Sequence, residues 1–87
     1  GLHAEALPLA HRAFEEKREL YGDVHPDVAA ALNLLGWILR QSGDLAAADS
    51  VLREAVAVGR AAFGAEGDPR LARALNDLGV VLEARGE

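Results

Sequence analysis

The chain lacks cysteine and methionine, and it has only one tryptophan, one tyrosine and two phenylalanines among its 87 residues. Without cysteine it can form neither a disulfide nor a thiolate metal site. No run of about 18 apolar residues is present, so no segment could span a membrane as a helix. A signal-peptide pattern is absent as well. Since the chain begins at Gly1 and contains no methionine, we expect it to be part of a longer protein; removal of an initiator methionine is the alternative.

The chain also lacks an excess of basic residues. Nine Lys and Arg stand against fourteen Asp and Glu, which gives a formal net charge of −5. Nucleic-acid and anionic-membrane binding need a basic patch, so we expect neither nucleic acid nor a membrane as a partner. Hydrophobic residues make up 51% of the chain and charged residues 26%, which indicates one small globular domain rather than a disordered segment.

Residues that could carry chemistry are few. The three histidines, His3, His11 and His25, are too scattered for a metal site. The sequence contains no nucleophile–base pair, glycine-rich phosphate loop or carboxylate pair at helical spacing. We therefore expect no catalytic residue, no metal, no cofactor and no enzymatic activity.

The most informative feature of the sequence is an internal repeat. Residues 26–44 align with residues 69–87, and nine of nineteen positions are identical, including a glycine and an asparagine inside each segment. Residues 1–22 align with residues 43–64 at six positions, and both segments end in an aromatic residue followed by glycine. The two offsets are 43 and 42 residues. A repeat of this length is typical of stacked helical units.

Each repeated segment has the signals of a helix. We predict four helices, at about 2–20, 26–41, 45–62 and 69–85. Pro26 and Pro69 suit a first helical turn, and Pro8 should kink the first helix. Asp27 should favour a helix start, Asp44 and Asp68 are predicted N-caps, and Gly43 and Gly86 are predicted stops. The regions 21–25 and 63–68 are turn-rich linkers, and His25 should shape the first of them.

The spacing of the apolar residues resembles the tetratricopeptide repeat. Its pattern is Leu-x2-Leu-Gly-x2-Leu, followed by small and large residues on the next helix. The first part is met twice, and the second part follows the first copy. The matching residues are Leu32, Leu35, Gly36, Leu39, Gly43, Ala48, Leu52 and Ala55, then Leu75, Leu78, Gly79, Leu82 and Gly86, with Gly1, Ala6, Ala10 and Ala13 at the equivalent places of the first helix. Leucine replaces the usual first-helix tryptophan and tyrosine. The period, with "YGDVHPD" before "ALNLLG", resembles the kinesin-light-chain type.

The resemblance implies an all-α fold, an α-α superhelix of antiparallel helix pairs, over residues 1–87. Helix 26–41 is apolar on two faces, because it has neighbours on two sides. We expect Gly36 to lie against a small residue such as Ala48, so that two backbones approach closely. A second stripe, Ala31, Leu34 and Ile38, should pack on the preceding helix.

A third row of side chains on the two repeated helices is the candidate binding surface. In the family these helices line a concave groove, and the resemblance implies peptide binding there. The candidate residues are Asn33, Trp37, Arg40, Arg73, Asn76 and Val80. The asparagines could hold the backbone of an extended peptide, or they could bridge neighbouring helices. Trp37 could contact a ligand or pack against the neighbouring helices.

Two functional hypotheses follow. The first is a protein-interaction scaffold that binds an extended peptide or a partner helix in the concave groove. The second is a structural or self-association module without a peptide ligand, inside a larger regulator or enzyme. Helix 69–85 lacks the helix that should cover its leucines, so we expect more repeats in the parent protein, or head-to-tail docking on helix 2–20 of another chain. We expect a cytoplasmic location.

Overall fold

The computed structural model describes residues 2–64 and 68–86, which form four α-helices and, within those ranges, no strand. The helices are α1 (Leu2–Tyr21), α2 (Pro26–Ser42), α3 (Leu45–Phe63) and α4 (Pro69–Ala84). The four predicted helices are therefore confirmed to within one residue at each end. Residues 65–67 of the predicted linker 63–68 lie outside the described residues, as do the repeat glycine Gly1 and Glu87.

The helix starts use side-chain caps that the sequence displays. The side chain of Asp44 accepts a hydrogen bond from the backbone N–H of Ala47 at 3.2 Å. The side chain of Asp68 caps α4 in the same way, 2.8 Å from a backbone nitrogen. His25 caps α2, because its Nδ1 accepts the backbone N–H of Asp27 at 3.0 Å. The predictions for Asp44 and Asp68 are confirmed, and the role of His25 in the turn is that of an N-cap.

The helix ends are set by glycine. Gly43 follows α2 with a φ of 91°, and Gly86 follows α4 with a φ of 79°. Only glycine adopts this left-handed conformation at little cost, so both predicted stops are confirmed. Helix α1 runs through Pro8 without a break. The kink predicted there stays a prediction.

The core is built by helices that pack in sequence order. Each helix lies against the next one, and α2 also touches α4. The most deeply buried large side chains are Leu32, Leu52, Val28 and Val81. Helix α2 buries seven residues, more than any other helix, because it contacts all three of the others. This burial confirms the interpretation that α2 is apolar on two faces.

The close contact at Gly36 differs in its partner from the one we predicted. A Cβ atom placed on Gly36 would lie 2.5 Å from Cδ2 and 2.6 Å from Cγ of Leu52. The neighbour that requires glycine is therefore the large residue Leu52, whereas we expected a small residue such as Ala48. The branched end of the leucine side chain fills the space that a Cβ on residue 36 would take. At Gly79, the repeat equivalent, a Cβ would meet nothing within 4 Å.

Candidate functional site

An apolar groove runs between α1 and α2 and has a volume of about 580 Å³. We call it the α1–α2 groove. Its lining residues are Leu2, His3, Ala6, Leu9, Ala10, Ala13, Leu34, Trp37 and Ile38. A second depression of about 300 Å³ shares Ala10, Ala13 and Leu34 with it and continues it towards Asp27 and Lys17. The groove therefore follows the length of both helices.

Large apolar side chains of the groove remain in contact with solvent. Leu2 is 82% exposed, Leu9 66% and Leu34 51%. Trp37 is 37% exposed, and its ring meets the edge of the His3 ring with 6.4 Å between the centroids. Contiguous apolar surface of this kind marks interaction sites in proteins. Of the predicted stripe Ala31, Leu34 and Ile38, only Ile38 is fully buried.

The internal repeat gives this groove a counterpart elsewhere in the chain. A shift of one repeat carries Ala10 onto Leu52 and Leu34 onto Asp77, so the counterpart is formed by α3 and α4. Helix α2 lies on that counterpart, and its Gly36 receives Leu52. Within residues 2–64 and 68–86, no helix occupies the corresponding place on α1 and α2.

Asn33 is directed towards α4. Its Nδ2 donates a hydrogen bond to the backbone carbonyl of Arg70 at 3.3 Å. Its Oδ1 is buried and has no hydrogen-bond partner in the described part of the chain. The amide thus bridges α2 and α4 through two residues that are 37 positions apart in sequence.

Arg40 is also directed towards α4. Its Nη1 lies 3.4 Å from Oδ1 of Asp77, a carboxylate that is buried. The other oxygen, Oδ2, is buried without a hydrogen-bond partner among the described residues. Since a buried carboxylate is costly unless it is paired, Arg40 has a structural role at this interface.

The remaining candidate residues lie apart from these contacts. Arg73 and Asn76 are exposed on α4, and Val80 is half-buried. Trp37 is the only one of the six predicted site residues that lines the α1–α2 groove. Peptide binding by these six residues stays a prediction. Leu2 and Leu9 were not predicted as site residues, although their three- and four-residue spacing with Ala6 and Ala13 is visible in the sequence.

The start of α4 carries the strongest local electrostatics. The Arg70 guanidinium hydrogen-bonds to Asp68 and, together with the Arg70 backbone N–H, lowers the pKa of that carboxyl from 3.8 to about 2. The same guanidinium lies 4.0 Å from the centroid of the Phe63 ring. This cluster fixes the helix start whose carbonyl accepts the Asn33 bond.

A buried carboxylate ties the end of α4 to α3. Oδ1 of Asp49 accepts from Arg53 at 2.5 Å, and Oδ2 accepts from Arg85 at 2.5 Å. Both oxygens are thus satisfied, and the ion pairs are structural. Among residues 2–64 and 68–86, no three acidic or histidine side chains form a group that could hold a metal ion.

A second apolar cavity, of about 760 Å³, lies between α1 and α3. Its floor is formed by Leu32, Leu35 and Leu39, which are buried core residues. Arg12 and Glu54 also line it. Since the floor already belongs to the core, this cavity exposes less apolar surface than the α1–α2 groove. Of the described helices, none is long and apolar enough to cross a membrane.

Comparison with known proteins agrees with the repeat architecture. The family model described as "Tetratricopeptide repeat" matches residues 1–61, which cover α1, α2 and most of α3. No curated protein matches the chain. The kinesin-light-chain subtype and the superhelical arrangement stay predictions. The helix pattern of the fold, the glycine contact at Gly36 and the family match together show that the chain belongs to the tetratricopeptide repeat family.

Proposed function

We propose that this protein is a non-catalytic interaction scaffold that binds an amphipathic helix of a partner protein along the α1–α2 groove. Tetratricopeptide repeats mediate protein–protein interaction and are typically non-catalytic scaffolds. The observation that carries the proposal is the line of exposed apolar side chains, Leu2, Leu9, Leu34 and Trp37, in one groove. The cytoplasmic location expected from the sequence is part of the same proposal.

A helix suits this groove better than an extended peptide does. An extended peptide gains affinity through main-chain hydrogen bonds, whereas a helix satisfies its own backbone and offers an apolar face. The groove lining is almost wholly apolar, and its polar side-chain groups are the His3 ring and the indole N–H of Trp37. The counterpart of this groove, between α3 and α4, is filled by a helix of the chain itself.

The extended-peptide hypothesis depends on Asn33 and Asn76. The amide of Asn33 donates to the carbonyl of Arg70, and its oxygen is buried. Asn33 therefore favours the bridging interpretation, and its group is unsuited to holding a ligand backbone. Asn76 is exposed, and within the described residues its side chain makes no hydrogen bond. It alone keeps the polar atoms that the peptide hypothesis requires.

The experiment uses Trp37 as a reporter, because it is the single tryptophan and lies in the groove. The probe is a synthetic peptide with the sequence of residues 26–42 in which phenylalanine replaces the tryptophan. A hydrocarbon staple on its polar face keeps it helical, since free helices of this length are marginal in water. We expect saturable binding with a blue shift of the Trp37 emission, because the indole loses contact with water.

Two matched variants locate the binding site. Leu9→Lys introduces a charge in the groove at a side chain that is 66% exposed, so the fold should survive while peptide binding is lost. Leu20→Lys places the same charge on α1 outside the groove, at a side chain that is 72% exposed, and should bind like the parent chain. Equal binding by both variants, or no binding of the peptide to the parent chain, refutes the proposal.

A further inference from the structure

We propose that the helix that occupies the α1–α2 groove is α4 of a second copy of this chain, so that copies associate head to tail. The inference rests on the proposed function, since it names the partner whose helix enters the groove. The contacts that the two repeats make inside one chain support it.

Helix α4 carries an uncovered copy of the face that α2 buries. Leu75, Leu78, Gly79 and Leu82 are the repeat equivalents of Leu32, Leu35, Gly36 and Leu39. On α2 this face lies against α3 and is buried. On α4, Leu75 is 41% exposed, and a Cβ at Gly79 would meet nothing within 4 Å. In the described part of the chain, no helix covers Leu75 or Gly79, whereas Leu78 is half-buried and packs against the core.

The placement of α2 shows how α4 of a second copy would sit. Helix α2 lies on α3 and α4. In the repeat, α1 and α2 correspond to α3 and α4, so a helix placed on them in the same way would lie where α2 lies inside the chain. Helix α4 of a second copy has the matching sequence. In this register Gly79 lies against Ala10, where Gly36 lies against Leu52 inside the chain. The two uncovered faces therefore fit each other through an arrangement that the chain already uses.

A polar contact fixes the same register. Inside the chain, Asn33 on α2 donates to the backbone carbonyl of Arg70 on α4. In the repeat alignment, Asn76 corresponds to Asn33 and Asp27 corresponds to Arg70. Between two copies, Asn76 of one chain would therefore donate to the backbone carbonyl of Asp27 of the other. Asp27 lines the continuation of the groove, and Asn76 is exposed. The exposed asparagine thus gains a partner when a second chain docks.

One chain cannot satisfy both faces by itself. Helices α1 and α4 do not pack against each other in the described structure. Contact between them therefore joins two different surfaces of two chains, which is a heterologous arrangement that continues to larger assemblies or closes into a ring.

The docking should be weaker than the internal packing that it repeats. Ala10 is smaller than Leu52, so the contact buries less apolar surface. The internal ion pair of Arg40 with Asp77 is also not repeated, because Glu83 and Leu34 stand at the equivalent places. We therefore expect association that depends on protein concentration.

The test measures mass by sedimentation equilibrium for the full 87-residue chain, from dilute solution up to its solubility limit. The parent chain should show an average mass that rises with concentration. Leu75→Lys on α4 and Leu9→Lys in the groove should each abolish this rise, because both side chains are exposed in the single chain and charged variants stay folded. Leu20→Lys should associate like the parent chain. Circular dichroism confirms that each variant is helical.

Mixing the two variants identifies the head-to-tail arrangement. The Leu75→Lys chain keeps an intact groove, and the Leu9→Lys chain keeps an intact α4 face, so an equimolar mixture should form a one-to-one dimer and nothing larger. Asn76→Ala should weaken association severalfold, by the loss of one net hydrogen bond.

The possible results separate this inference from the proposed function. A parent chain that stays monomeric, or two variants that do not associate when mixed, overturns the inference. A single variant that still forms a dimer overturns it as well, since that result means a symmetric contact. Binding of the stapled peptide by a monomeric chain would leave the proposed function standing and refute only the second copy as partner. Failure of the peptide to bind would refute both.

Discussion

The two repeat glycines provide a test of the packing, because they occupy the same sequence position in two different environments. Replacing either glycine by alanine removes the same helix-propensity penalty, about 1 kcal/mol in a helix interior. At Gly79 no atom lies within 4 Å of the new methyl group. Gly79→Ala should therefore raise the free energy of unfolding by about that amount.

At Gly36 the new methyl group collides with a neighbour. It would lie 2.5 Å from Cδ2 and 2.6 Å from Cγ of Leu52, whose side chain is fully buried. Overpacking of a core typically costs about 1–3 kcal/mol. After the propensity gain is subtracted, Gly36→Ala should destabilise the chain by up to about 2 kcal/mol.

The assay is urea unfolding followed by circular dichroism, at a concentration where the chain is monomeric. The two variants should differ by about 1–3 kcal/mol, the overpacking cost, with Gly36→Ala the less stable. A double-mutant cycle with Leu52→Ala isolates the clash: the added methyl group should cost less, or be favourable, where the leucine is gone. Equal effects of the two glycine substitutions would refute the assignment of Gly36 to a close helix contact.

Three further predictions concern polar groups. Asn33→Ala should lower the free energy of unfolding by about 1 kcal/mol in urea titrations, the net value of a hydrogen bond, whereas Asn76→Ala should leave monomer stability unchanged; equal losses would refute the bridge. Arg40→Leu should cost about 2 kcal/mol in the same assay because it leaves the buried Asp77 carboxylate unpaired, and adding Asp77→Leu should recover most of that loss. The Asp68 carboxyl has a pKa of about 2 in the folded chain, against an ordinary value of 3.8. Its contribution to stability is therefore present above pH 3.8 and is lost as the pH falls towards 2. The difference in urea midpoint between the parent chain and Asp68→Ala should shrink over that pH range, and a constant difference would contradict this prediction.

Much of the fold could be predicted from the sequence because its signals are local. A proline, a capping aspartate and a stop glycine act within one helical turn, so the four helices were located to within one residue. The repeat is also visible in the sequence alone, by aligning residues 26–44 with residues 69–87. It predicted the family, and it predicted that α2 would have neighbours on two sides.

The candidate site was harder to predict, because a repeated residue need not have repeated neighbours. Asn33 and Asn76 look alike in the sequence, but only Asn33 meets the carbonyl of Arg70. Trp37 was assigned to the same row as Asn33, whereas the structure directs it to α1, beside His3. Leu9 was not proposed, because exposure of an apolar side chain depends on whether another helix covers it.

The sequence by itself determined the helices, their caps and the repeated face of Leu-x2-Leu-Gly-x2-Leu. Only the tertiary structure decided which copy of that face is covered. Gly36 needs to be glycine because the side chain of Leu52, sixteen positions further along the chain, occupies the place of a Cβ. Gly79 has the same sequence surroundings and open space around it, because burial depends on a neighbouring helix and not on the residue that is buried.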